Sequence, residues 1–463
     1  MTPKPPPPTS TSSDPHRPGF HVTAPAGWIN DPLGVTWHAG PEGGRYELFF
    51  QYNPQAAVWV AECRWGQVTS PDLVRWGDLR TALEPGPEET GCWSGSVVVR
   101  DGVPVIVYTS VLADEPGMGR VALAEGDAAW RRWTPDPAGP VIPAPEPERG
   151  FAHVRDPFVW RDGEQWRMAL GAGDTAGRPS VLQYSSPDLR QWRLDGELAG
   201  PEDGRPDPGG AVWECPQLFP LEGSWVLMVS VWDEGPGGVA CAVGDYDGQR
   251  FVARAWHRLA GEPLYATTAF ADAAGRRCAL SWIQEAGSEG GAWSGALSVP
   301  WLLGRDGDRV TVVPHPDVDT LRTRVLAEHG PVALSRGPCE VTVPAAHLDV
   351  TLAAEPGGRP VVLAVDGSGG PVLTLTADPG AGQARLTAPG HPDVVAPMRA
   401  EPDGAIGLRL LLDGGVAEVF TGSGGVAAAR VLPPGDGLAI RVTGGDGARL
   451  RHLVVHEMAR VIG

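Results

Sequence analysis

Two eight-residue stretches, TSPDLVRW at residues 69–76 and SSPDLRQW at residues 185–192, share a pattern that decides the predicted fold. Each is a polar turn around an acid, followed by an aromatic residue. AEGDAAWRRW (124–133) and GDYDGQRF (244–251) follow the same pattern. The closing aromatics Trp76, Trp133, Trp192 and Phe251 lie 57, 59 and 59 residues apart, and one further step reaches Val310. A period near sixty predicts five repeated units.

Between these turns lie runs typical of short strands. They include RYELFFQY, SGSVVVRDGVPVIVYTS, FVWRDGEQWRMALGAG, WVLMVSVW and CALSWIQ, several of them interrupted by Asp-Gly, a strong hairpin signal. The 63 glycines and 48 prolines argue against long helices. Five units of a few short strands predict a five-bladed β-propeller. The alternative is an ordinary antiparallel sandwich in which the equal spacings are accidental.

The pattern changes near residue 317. Segments such as CEVTVPAAHLDVTLAAE and IGLRLLLDGGVAEVF alternate apolar and polar residues, and Trp301 is the last of the 18 tryptophans. Alternation of this kind predicts a second all-β domain, most simply a β-sandwich. The predicted organisation is a disordered tail at 1–19, the propeller at 20–316, a linker with one possible short helix at 317–335, and the sandwich at 336–463.

Charge and composition narrow the function. A formal net charge of −19 disfavours nucleic acid and anionic membranes as partners and suits a neutral small molecule. The six cysteines show no metal-ligand spacing, so we expect buried, reduced thiols and no bound metal or other cofactor. The N-terminal segment lacks the apolar region of a signal peptide, and we expect a cytoplasmic protein unless the start codon is misassigned. The oligomeric state is left open.

The segment GWINDPLG, residues 27–34, contains Asp31, an acid followed by proline, and such pairs are common in this chain. Asp31 is one of twelve acidic residues that precede proline, and Asn-Asp-Pro usually forms a turn. Counted back from the closing aromatic of its unit, however, Asp31 in the first unit falls near the same phase as Asp156 in the third and Glu214 in the fourth, with Ser94 at this place in the second unit. Inner propeller strands line the central channel. The phase therefore predicts three carboxylates clustered at the mouth of a channel.

The predicted cluster favours glycoside hydrolysis. The sequence has no histidine cluster for a transition metal, no Gly-x-Ser-x-Gly elbow, no phosphate-binding loop and no Asp-x-Asp calcium loop. Paired carboxylates, one ionised and one protonated, need no cofactor to cleave a glycosidic bond. The tryptophans that flank the acid and serine positions are candidates to stack on a sugar or to pack between blades: Trp28, Trp59, Trp93 and Trp213.

At these residues the sequence resembles glycoside hydrolase family 32, the β-fructofuranosidases. GWINDPLG resembles the family's Trp-Met-Asn-Asp-Pro-Asn-Gly block, and LFFQYNP, GCWSGS, VRDPFVW and WECPQLF follow in the family's order. LLLDGGVAEVF resembles a strand of its C-terminal sandwich. The resemblance covers nearly the whole chain and implies a five-bladed propeller followed by a β-sandwich, in agreement with the repeat.

The resemblance also implies residue roles. Asp31 would be the nucleophile at the anomeric carbon of a terminal β-fructofuranosyl unit, Glu214 the acid/base and Asp156 the transition-state stabiliser. The implied substrate-binding residues are Asn30, Gln51, Trp59, Ser94 and Arg155. Three positions depart from the family pattern, namely Leu33, Gln67 and Pro263.

Three functions remain open at this point. The first is an exo-acting β-fructosidase that releases fructose from sucrose or short fructo-oligosaccharides. The second is a fructosyltransferase or a levan- or inulin-specific exo-fructanase with the same site. The third is a non-catalytic fructan-binding protein, against which the intact acids weigh. A five-bladed arabinan-degrading enzyme is a neighbouring possibility that the motifs disfavour.

Overall fold

A computed structural model gives the fold. It describes residues 14–40, 43–113, 117–144, 150–202, 205–284, 291–344, 346–432 and 437–461. Part of the predicted tail, residues 1–13, lies outside the described residues. Within those ranges, no helix is long and apolar enough to cross a membrane.

Five antiparallel sheets form the first domain. Blade I contains β1 (Gly27–Gly40), β2 (Gly43–Asn53), β3 (Arg64–Ser70) and β4 (Arg80–Leu83). Blade II contains β5 (Gly91–Arg100), β6 (Val103–Val111), β7 (Arg120–Gly126) and β8 (Trp133–Pro135). Blade III contains β9 (Phe151–Asp162), β10 (Gln165–Asp174), β11 (Pro179–Ser186) and β12 (Arg193–Ala199). Blade IV contains β13 (Val212–Leu221), β14 (Ser224–Trp232), β15 (Pro236–Tyr246) and β16 (Phe251–Ala260).

Blade V closes the ring. It contains β17 (Leu264–Ala271), β18 (Arg277–Ile283), β20 (Ala296–Leu297), β21 (Trp301–Asp306) and β22 (Arg309–Pro314). The short β19 (Trp293–Ser294), from the same part of the chain, pairs in parallel with β1 of blade I. The inner strands β1, β5, β9, β13 and β17 each contact the next around the ring. The predicted all-β fold with five propeller blades is confirmed.

The sixty-residue period corresponds to one position in each blade. Trp133 and Phe251 begin the outermost strands β8 and β16, Val310 lies in β22, and Trp76 and Trp192 lie shortly before β4 and β12. Phe251 is 2% exposed and Trp133 is 8% exposed. The repeated aromatic therefore packs where each blade receives its last strand, which explains why it recurs with the period of the fold.

Every inner strand has a β-bulge at a corresponding place. The register shifts between Ile29 and Pro32 in β1, and at the equivalent point in β5, β9, β13 and β17. A bulge inserts one extra residue and turns its side chain away from the regular alternation. Three bulge residues, Asp156, Cys215 and Ala266, also have positive φ angles, between 46° and 66°. The five bulges thus aim side chains into the axis of the ring.

The bulges correct one prediction about the acids. The phase of the repeat predicts the acids at the mouth of a channel, but Asp31 and Asp156, each followed by proline, lie at bulges within strands. Asp31 is 8% exposed and Asp156 is 5% exposed. A bulge leaves one backbone N–H outside the ladder, so proline is tolerated there without loss of a ladder hydrogen bond. The acids consequently lie at a buried floor.

The second domain is a two-sheet sandwich. One sheet has the order β23-β35-β26-β31-β32-β33, with β24 added on β35, and the other has the order β25-β34-β27-β28-β29-β30. Its first strands are β23 (Arg322–His329), β24 (Val332–Ala333), β25 (Cys339–Val343), β26 (His347–Glu355), β27 (Val361–Gly367) and β28 (Gly370–Asp378). The remaining strands are β29 (Gln383–Thr387), β30 (Val394–Pro397), β31 (Ile406–Asp413), β32 (Val416–Thr421), β33 (Val426–Arg430), β34 (Leu438–Thr443) and β35 (Arg449–Met458).

At both ends of the propeller, residues predicted as linker or tail have defined structure. The predicted linker 317–335 contains a 3₁₀ helix at Pro316–Leu321 and then β23, which pairs with β35 in the sandwich sheet. The segment RTRVLAEH lacks a regular alternation of apolar and polar residues, so its sequence does not predict a strand. Residues 14–19, predicted as tail, contact both domains: Asp14 accepts from Trp293 Nε1 at 2.7 Å, and Gly19 N donates to Asp413 Oδ1 at 2.6 Å.

Apolar packing joins the two domains. One face of the larger sandwich sheet places Leu411, Val416 and Phe420 in a single core with propeller residues such as Trp301 and Leu303. The cysteines, all six described, are buried and unpaired, as expected. Removing this much apolar surface from water fixes the sandwich against blades IV and V.

Candidate active site

A cavity of about 480 Å³ lies over the bulged inner strands. Its walls are rich in tryptophan, and its floor carries acids. The lining residues are Trp28, Asn30, Asp31, Gln51, Trp59, Trp93, Gly117, His153, Arg155, Asp156, Glu214, Trp232, Pro236, Tyr265, Trp282 and Gln284. A concave site that combines aromatic faces with a few convergent polar groups is typical of small-molecule binding.

The structure brings together the eight residues to which the family resemblance gives a catalytic or substrate-binding role. Seven of them line the cavity: Asn30, Asp31, Gln51, Trp59, Arg155, Asp156 and Glu214. The eighth, Ser94, lies beneath the floor and donates its hydroxyl hydrogen to Asp31 Oδ2. The three acids come from blades I, III and IV, as the repeat predicts.

Asp31 is held by neutral donors only. Besides Ser94, Gln51 Nε2 lies 3.5 Å from Asp31 Oδ2 and donates to Ser94 Oγ at 2.5 Å. The thiol of Cys215 lies 3.8 Å from the same oxygen. No lysine or arginine pairs with Asp31 among the described residues. The Asp31 carboxyl group is therefore oriented by hydrogen bonds, and no cation among the described residues neutralises its charge.

Asp156 is fixed by the bulge geometry. Its backbone N–H donates to Thr109 Oγ1 at 2.8 Å, and its Oδ2 accepts from the backbone N–H of Cys215 at 3.1 Å. The Cys215 thiol is 3.6 Å from the same oxygen, so this one sulfur contacts both aspartates. Asp31 and Asp156 accordingly face each other across a single side chain.

Glu214 has a different environment from the two aspartates. Arg155 Nε donates to its Oε1 at 2.7 Å, and the hydroxyl of Tyr265 donates to its Oε2. Its side chain is 14% exposed, so it lies nearer to solvent than the aspartates. A tyrosine hydroxyl can also accept a hydrogen bond, so the Tyr265 contact serves both the ionised and the protonated carboxyl group.

Burial raises the pKa values of the two aspartates toward neutral pH. It raises the pKa of Asp31 to about 7, with repulsion from Asp156 and Glu214 adding to it and the Ser94 hydrogen bond opposing it. Burial, and then repulsion from Glu214, raises the pKa of Asp156 to about 6, against the attraction of Arg155. Three carboxylates in one dry cavity cannot all ionise easily. The cluster therefore supplies both a carboxylate and a carboxylic acid at a working pH near 7.

Four buried polar atoms of the wall have no hydrogen-bond partner among the described residues: Trp28 Nε1, Asn30 Oδ1, Trp282 Nε1 and Gln284 Nε2. Buried polar groups are costly unless something satisfies them. These three donors and one acceptor all belong to residues that line the cavity, and hydroxyl groups of a sugar are suitable partners for them.

Sequence reasoning missed several residues of the site. Tyr265, Cys215, His153, Trp232, Trp282 and Gln284 were not predicted. One signal was present: Tyr265 lies 45 residues before Val310, the same count that separates Asp31 from Trp76. Trp213, a candidate for sugar stacking, is fully buried and packs on Trp256 with ring centroids 5.0 Å apart. It belongs to the core of blade IV.

The three departures from the family pattern lie outside the cavity. Leu33 is buried between blades I and II. Gln67 is also buried, and its Nε2 donates to Glu47 at 2.6 Å and to the carbonyl of Trp130 at 2.9 Å. Pro263 accepts a hydrogen bond from Gln284 N at 2.9 Å through its carbonyl. Leu33 and Gln67 are packing residues here, whereas Pro263 anchors the backbone of a lining residue.

One group of potential metal ligands exists elsewhere in the described chain. Asp272, Cys278 and His315 bring ligand atoms within 4.8 Å of one another. Arg276 Nε donates to Asp272 Oδ2 at 2.6 Å, and its Nη2 donates to His315 Nε2 at 2.9 Å. Because the Arg276 guanidinium group already bonds to Asp272 and His315, we interpret these side chains as an internal ion pair.

Fold and cavity together define a class of protein: a glycosidase with a carboxylate-based site at the centre of a β-propeller that carries a β-sandwich. The family model "Glycosyl hydrolases family 32 N-terminal domain" matches residues 21–316. The chain belongs to glycosyl hydrolase family 32, and the predicted resemblance is confirmed.

Individual relatives agree with this assignment. Sucrose-6-phosphate hydrolase of Klebsiella pneumoniae is 32% identical over 450 residues, which is 91% of this chain and 90% of that protein. Levanase of Bacillus subtilis is 34% identical over 66% of this chain and 48% of its own length. The structure of a Bombyx mori β-fructofuranosidase mutant in complex with sucrose has a TM-score of 0.82 and 25% identity, covering 97% of this chain and 96% of that chain.

Proposed function

We propose that this glycosidase releases terminal β-fructofuranosyl units from sucrose or short fructo-oligosaccharides by a retaining double displacement. The observation that carries the proposal is the cavity itself, which is lined by three carboxylates from separate blades and by four residues that have unpartnered polar atoms. A cavity volume of about 480 Å³ lies within the range typical of small-molecule sites. Relatives that act on sucrose phosphate and on levan, and a neighbour bound to sucrose, support the same chemistry.

The first displacement uses Asp31 and Glu214. A carboxylate oxygen of Asp31 attacks the anomeric carbon, the bond to the leaving oxygen breaks, and Glu214 gives its proton to that oxygen. The hydrogen bond from Ser94 favours the charge on Asp31, because it stabilises the carboxylate form. Asp156 accepts hydrogen bonds from the sugar hydroxyls and stabilises the positive charge that develops on the ring.

The second displacement releases the sugar. Glu214 takes a proton from water, the water oxygen attacks the anomeric carbon, and the bond to Asp31 breaks. Both proton positions of Glu214 are supported, since Tyr265 can donate to it or accept from it and Arg155 stabilises the ionised form. An acceptor sugar in place of water would give fructosyl transfer by the same intermediate.

Hydrolysis of a phosphorylated sucrose is the second candidate, favoured by the identity to the Klebsiella enzyme. The cavity offers little to a phosphate group. Arg155 is the one arginine among the described lining residues, no lysine is among them, and its guanidinium group already contacts Glu214 and His153. Phosphate recognition usually needs free arginine or lysine donors. Uncharged substrates therefore fit better.

Product analysis tests the proposal. Purified protein is incubated separately with sucrose, sucrose 6-phosphate, 1-kestose, inulin and levan, and the released sugars are separated. We expect free fructose, with the highest kcat/KM on sucrose or 1-kestose. A higher kcat/KM on sucrose 6-phosphate would favour the second candidate, and oligosaccharides at high sucrose would favour transfer. No released fructose from any substrate would overturn the proposal.

A further inference from the structure

A buried threonine beside the inner strands, Thr109, has no role in the mechanism above. It lies on β6, the second strand of blade II, is 1% exposed and is not one of the residues that line the cavity. Its Oγ1 accepts from the backbone N–H of Asp156 at 2.8 Å and donates to the backbone carbonyl of Ser94 at 2.9 Å. One hydroxyl group therefore ties the inner strand of blade II to that of blade III.

Both hydrogen bonds of Thr109 end at bulge residues. Ser94 and Asp156 lie where the register shifts in β5 and β9. A bulge leaves backbone polar groups outside the ladder, and buried groups of this kind need another partner. Asp156 also has a φ of 66°, in the left-handed region that residues other than glycine rarely adopt. The Thr109 hydroxyl supplies a partner for the Asp156 N–H in that conformation, and so holds the bulge that aims the Asp156 side chain.

The Asp156 bulge in turn supports Glu214 in blade IV. Asp156 Oδ2 accepts from the backbone N–H of Cys215, the bulge residue that follows Glu214, at 3.1 Å. Arg155, immediately before Asp156, donates to Glu214 Oε1 at 2.7 Å. A displacement of the Asp156 bulge would consequently disturb two contacts that fix Glu214 and its strand.

The other bond of Thr109 leads to the nucleophile. Ser94, whose carbonyl accepts from Thr109, donates its own hydroxyl hydrogen to Asp31 Oδ2. Thr109 is thus linked to Asp31 through Ser94, to Asp156 directly, and to Glu214 through Asp156 and its neighbours. A group at this place must donate and accept at once, as a hydroxyl group can.

We propose that Thr109 is a positioning residue that sets the relative places of the three carboxyl groups. The inference rests on the proposed function and adds to it a residue that acts without touching the substrate. The acids come from three blades, so their spacing depends on bonds between blades. A Cβ at Gly119 would come within 2.2 Å of Thr109 Cγ2, so the threonine methyl group is closely packed and its hydroxyl has a defined direction.

Substitutions at Thr109 that keep or remove the hydroxyl group test the proposal. Thr109→Val keeps the shape and loses both hydrogen bonds, and it should lower kcat on sucrose about 100-fold, the effect of a misplacement of about 1 Å. KM should stay within about threefold, because the residues of the cavity wall are unchanged. Thr109→Ser keeps the hydroxyl and should retain kcat within about threefold. If Thr109→Val does not fold, Thr109→Ala should show the same fall in kcat.

Thr421→Val is the matched control. Thr421 in the sandwich is 2% exposed, and its Oγ1 likewise donates to a backbone carbonyl, that of Pro397, and accepts from a backbone N–H, that of Gly425, both at 2.8 Å. Its replacement should lower the melting temperature about as much as Thr109→Val does and leave kcat unchanged. Equal kcat in the two valine variants, or an equal fall in Thr109→Ser and Thr109→Val, would overturn the proposal. A rise in KM alone would overturn it as well.

A double substitution tests whether Thr109 acts through Asp156. In the Asp156→Ala background, Thr109→Val should lower the remaining kcat by less than about threefold, because the carboxyl group that it positions is gone. A further loss of about 100-fold would show that Thr109 acts elsewhere and would overturn the proposal. Wild-type protein that releases no fructose overturns the proposed function itself, whereas an active wild type with an equally active Thr109→Val variant overturns this inference alone.

Discussion

Two clusters of buried acids in this molecule have opposite electrostatics. One is the Asp31–Asp156 pair in the cavity, and the other is Asp413 with Glu418 where the propeller meets the sandwich. Burial raises the pKa of Asp31 to about 7. Burial also acts to raise the pKa of Asp413, but hydrogen bonds from His21 and His347 overcome it and hold that pKa well below its usual range. Both carboxylates are buried, at 8% exposure for Asp31 and 0% for Asp413, so the opposite directions of the two pKa shifts come from the partners of each acid.

The interface cluster is saturated with donors. Asp413 accepts from the backbone N–H groups of Gly19, Phe20 and His21 at 2.6 to 2.9 Å, and from two histidine rings. Glu418 accepts from His21 Nε2 at 2.8 Å, from Val299 N at 2.8 Å and from Trp301 Nε1 at 3.1 Å. A buried charge with this many partners fixes two domains together.

The cavity cluster leaves its charges unpaired. Asp31 receives hydrogen bonds from Ser94 and Gln51 and faces two other acids. Stability would favour a cation there, and none of the described residues supplies one to Asp31. The buried acids at the interface are paired with histidines, whereas Asp31 has no cationic partner among the described residues, and an unpaired buried acid in a cavity is a candidate for chemistry.

The largest expected effect tests the cavity side of this contrast. Asp31→Asn removes the nucleophile and should lower kcat on sucrose by about 10⁴-fold or more. The same variant should unfold at a higher temperature at pH 8. The folded-state pKa of Asp31, about 7, lies above its ordinary value of 3.8, so its contribution to stability is full below pH 3.8 and is lost as pH rises through 7. A neutral amide avoids that loss.

Asp207→Asn is the control for this variant. Asp207 also precedes proline but lies exposed in a loop, where it accepts from Gly209 N at 2.7 Å. Its replacement should change neither activity nor melting temperature by a measurable amount. Wild-type activity in purified, folded Asp31→Asn would contradict the assignment of Asp31 as nucleophile.

The next largest effect concerns the interface. Asp413→Asn should lower the free energy of unfolding by about 3–5 kcal/mol, because it leaves His21 charged and buried without its main partner. Urea unfolding at pH 7 measures the loss, and activity per folded molecule should stay unchanged. Asp403→Asn, at an exposed ion pair with Arg451, should leave the urea midpoint unchanged. An Asp413→Asn variant as stable as wild type would remove the distinction between the two clusters.

The pH dependence of stability gives a third test. Burial lowers the pKa of His21, but hydrogen bonds and charge from Asp413 and Glu418 raise it more, to about 9 from an ordinary 6.5. A raised folded-state pKa means that the contribution of His21⁺ is full below pH 6.5 and is lost as pH rises through 9. Melting temperature should therefore fall between pH 6.5 and 9. In His21→Gln this slope should be smaller, and an unchanged slope would show that other groups cause it.

The repeat made the propeller and the three acids predictable, but not their surroundings. Period and phase identified Asp31, Asp156 and Glu214 because inner strands recur at one position in every blade. Tyr265 occupies the equivalent place in blade V and was missed because it is not an acid. Trp232 was missed because it ends the second strand of its blade, where the repeat gives no signal.

The interface was less predictable for a physical reason. His21 and Asp413 are 392 residues apart in sequence, and neither belongs to a pattern that a single chain reveals. The strand β23 falls in the predicted linker because its pairing partner, β35, is the last strand of the sandwich and lies far along the chain. Long-range pairing is decided by which surfaces meet in three dimensions, and local periodicity carries little of that information.

The smallest expected effect refines the description of Asp31. Ser94→Ala removes the hydrogen bond that lowers the pKa of Asp31, so the acidic limb of the kcat/KM profile on sucrose should move to higher pH by about half a unit to one unit. The matched control is Ser96→Ala on the same strand, whose hydroxyl accepts from Val159 N at 3.1 Å outside the cavity. A limb that moves to lower pH, or moves equally in both variants, would show that Ser94 does not stabilise the ionised nucleophile. The contrast between the two clusters would then rest on Asp413 and its histidines alone.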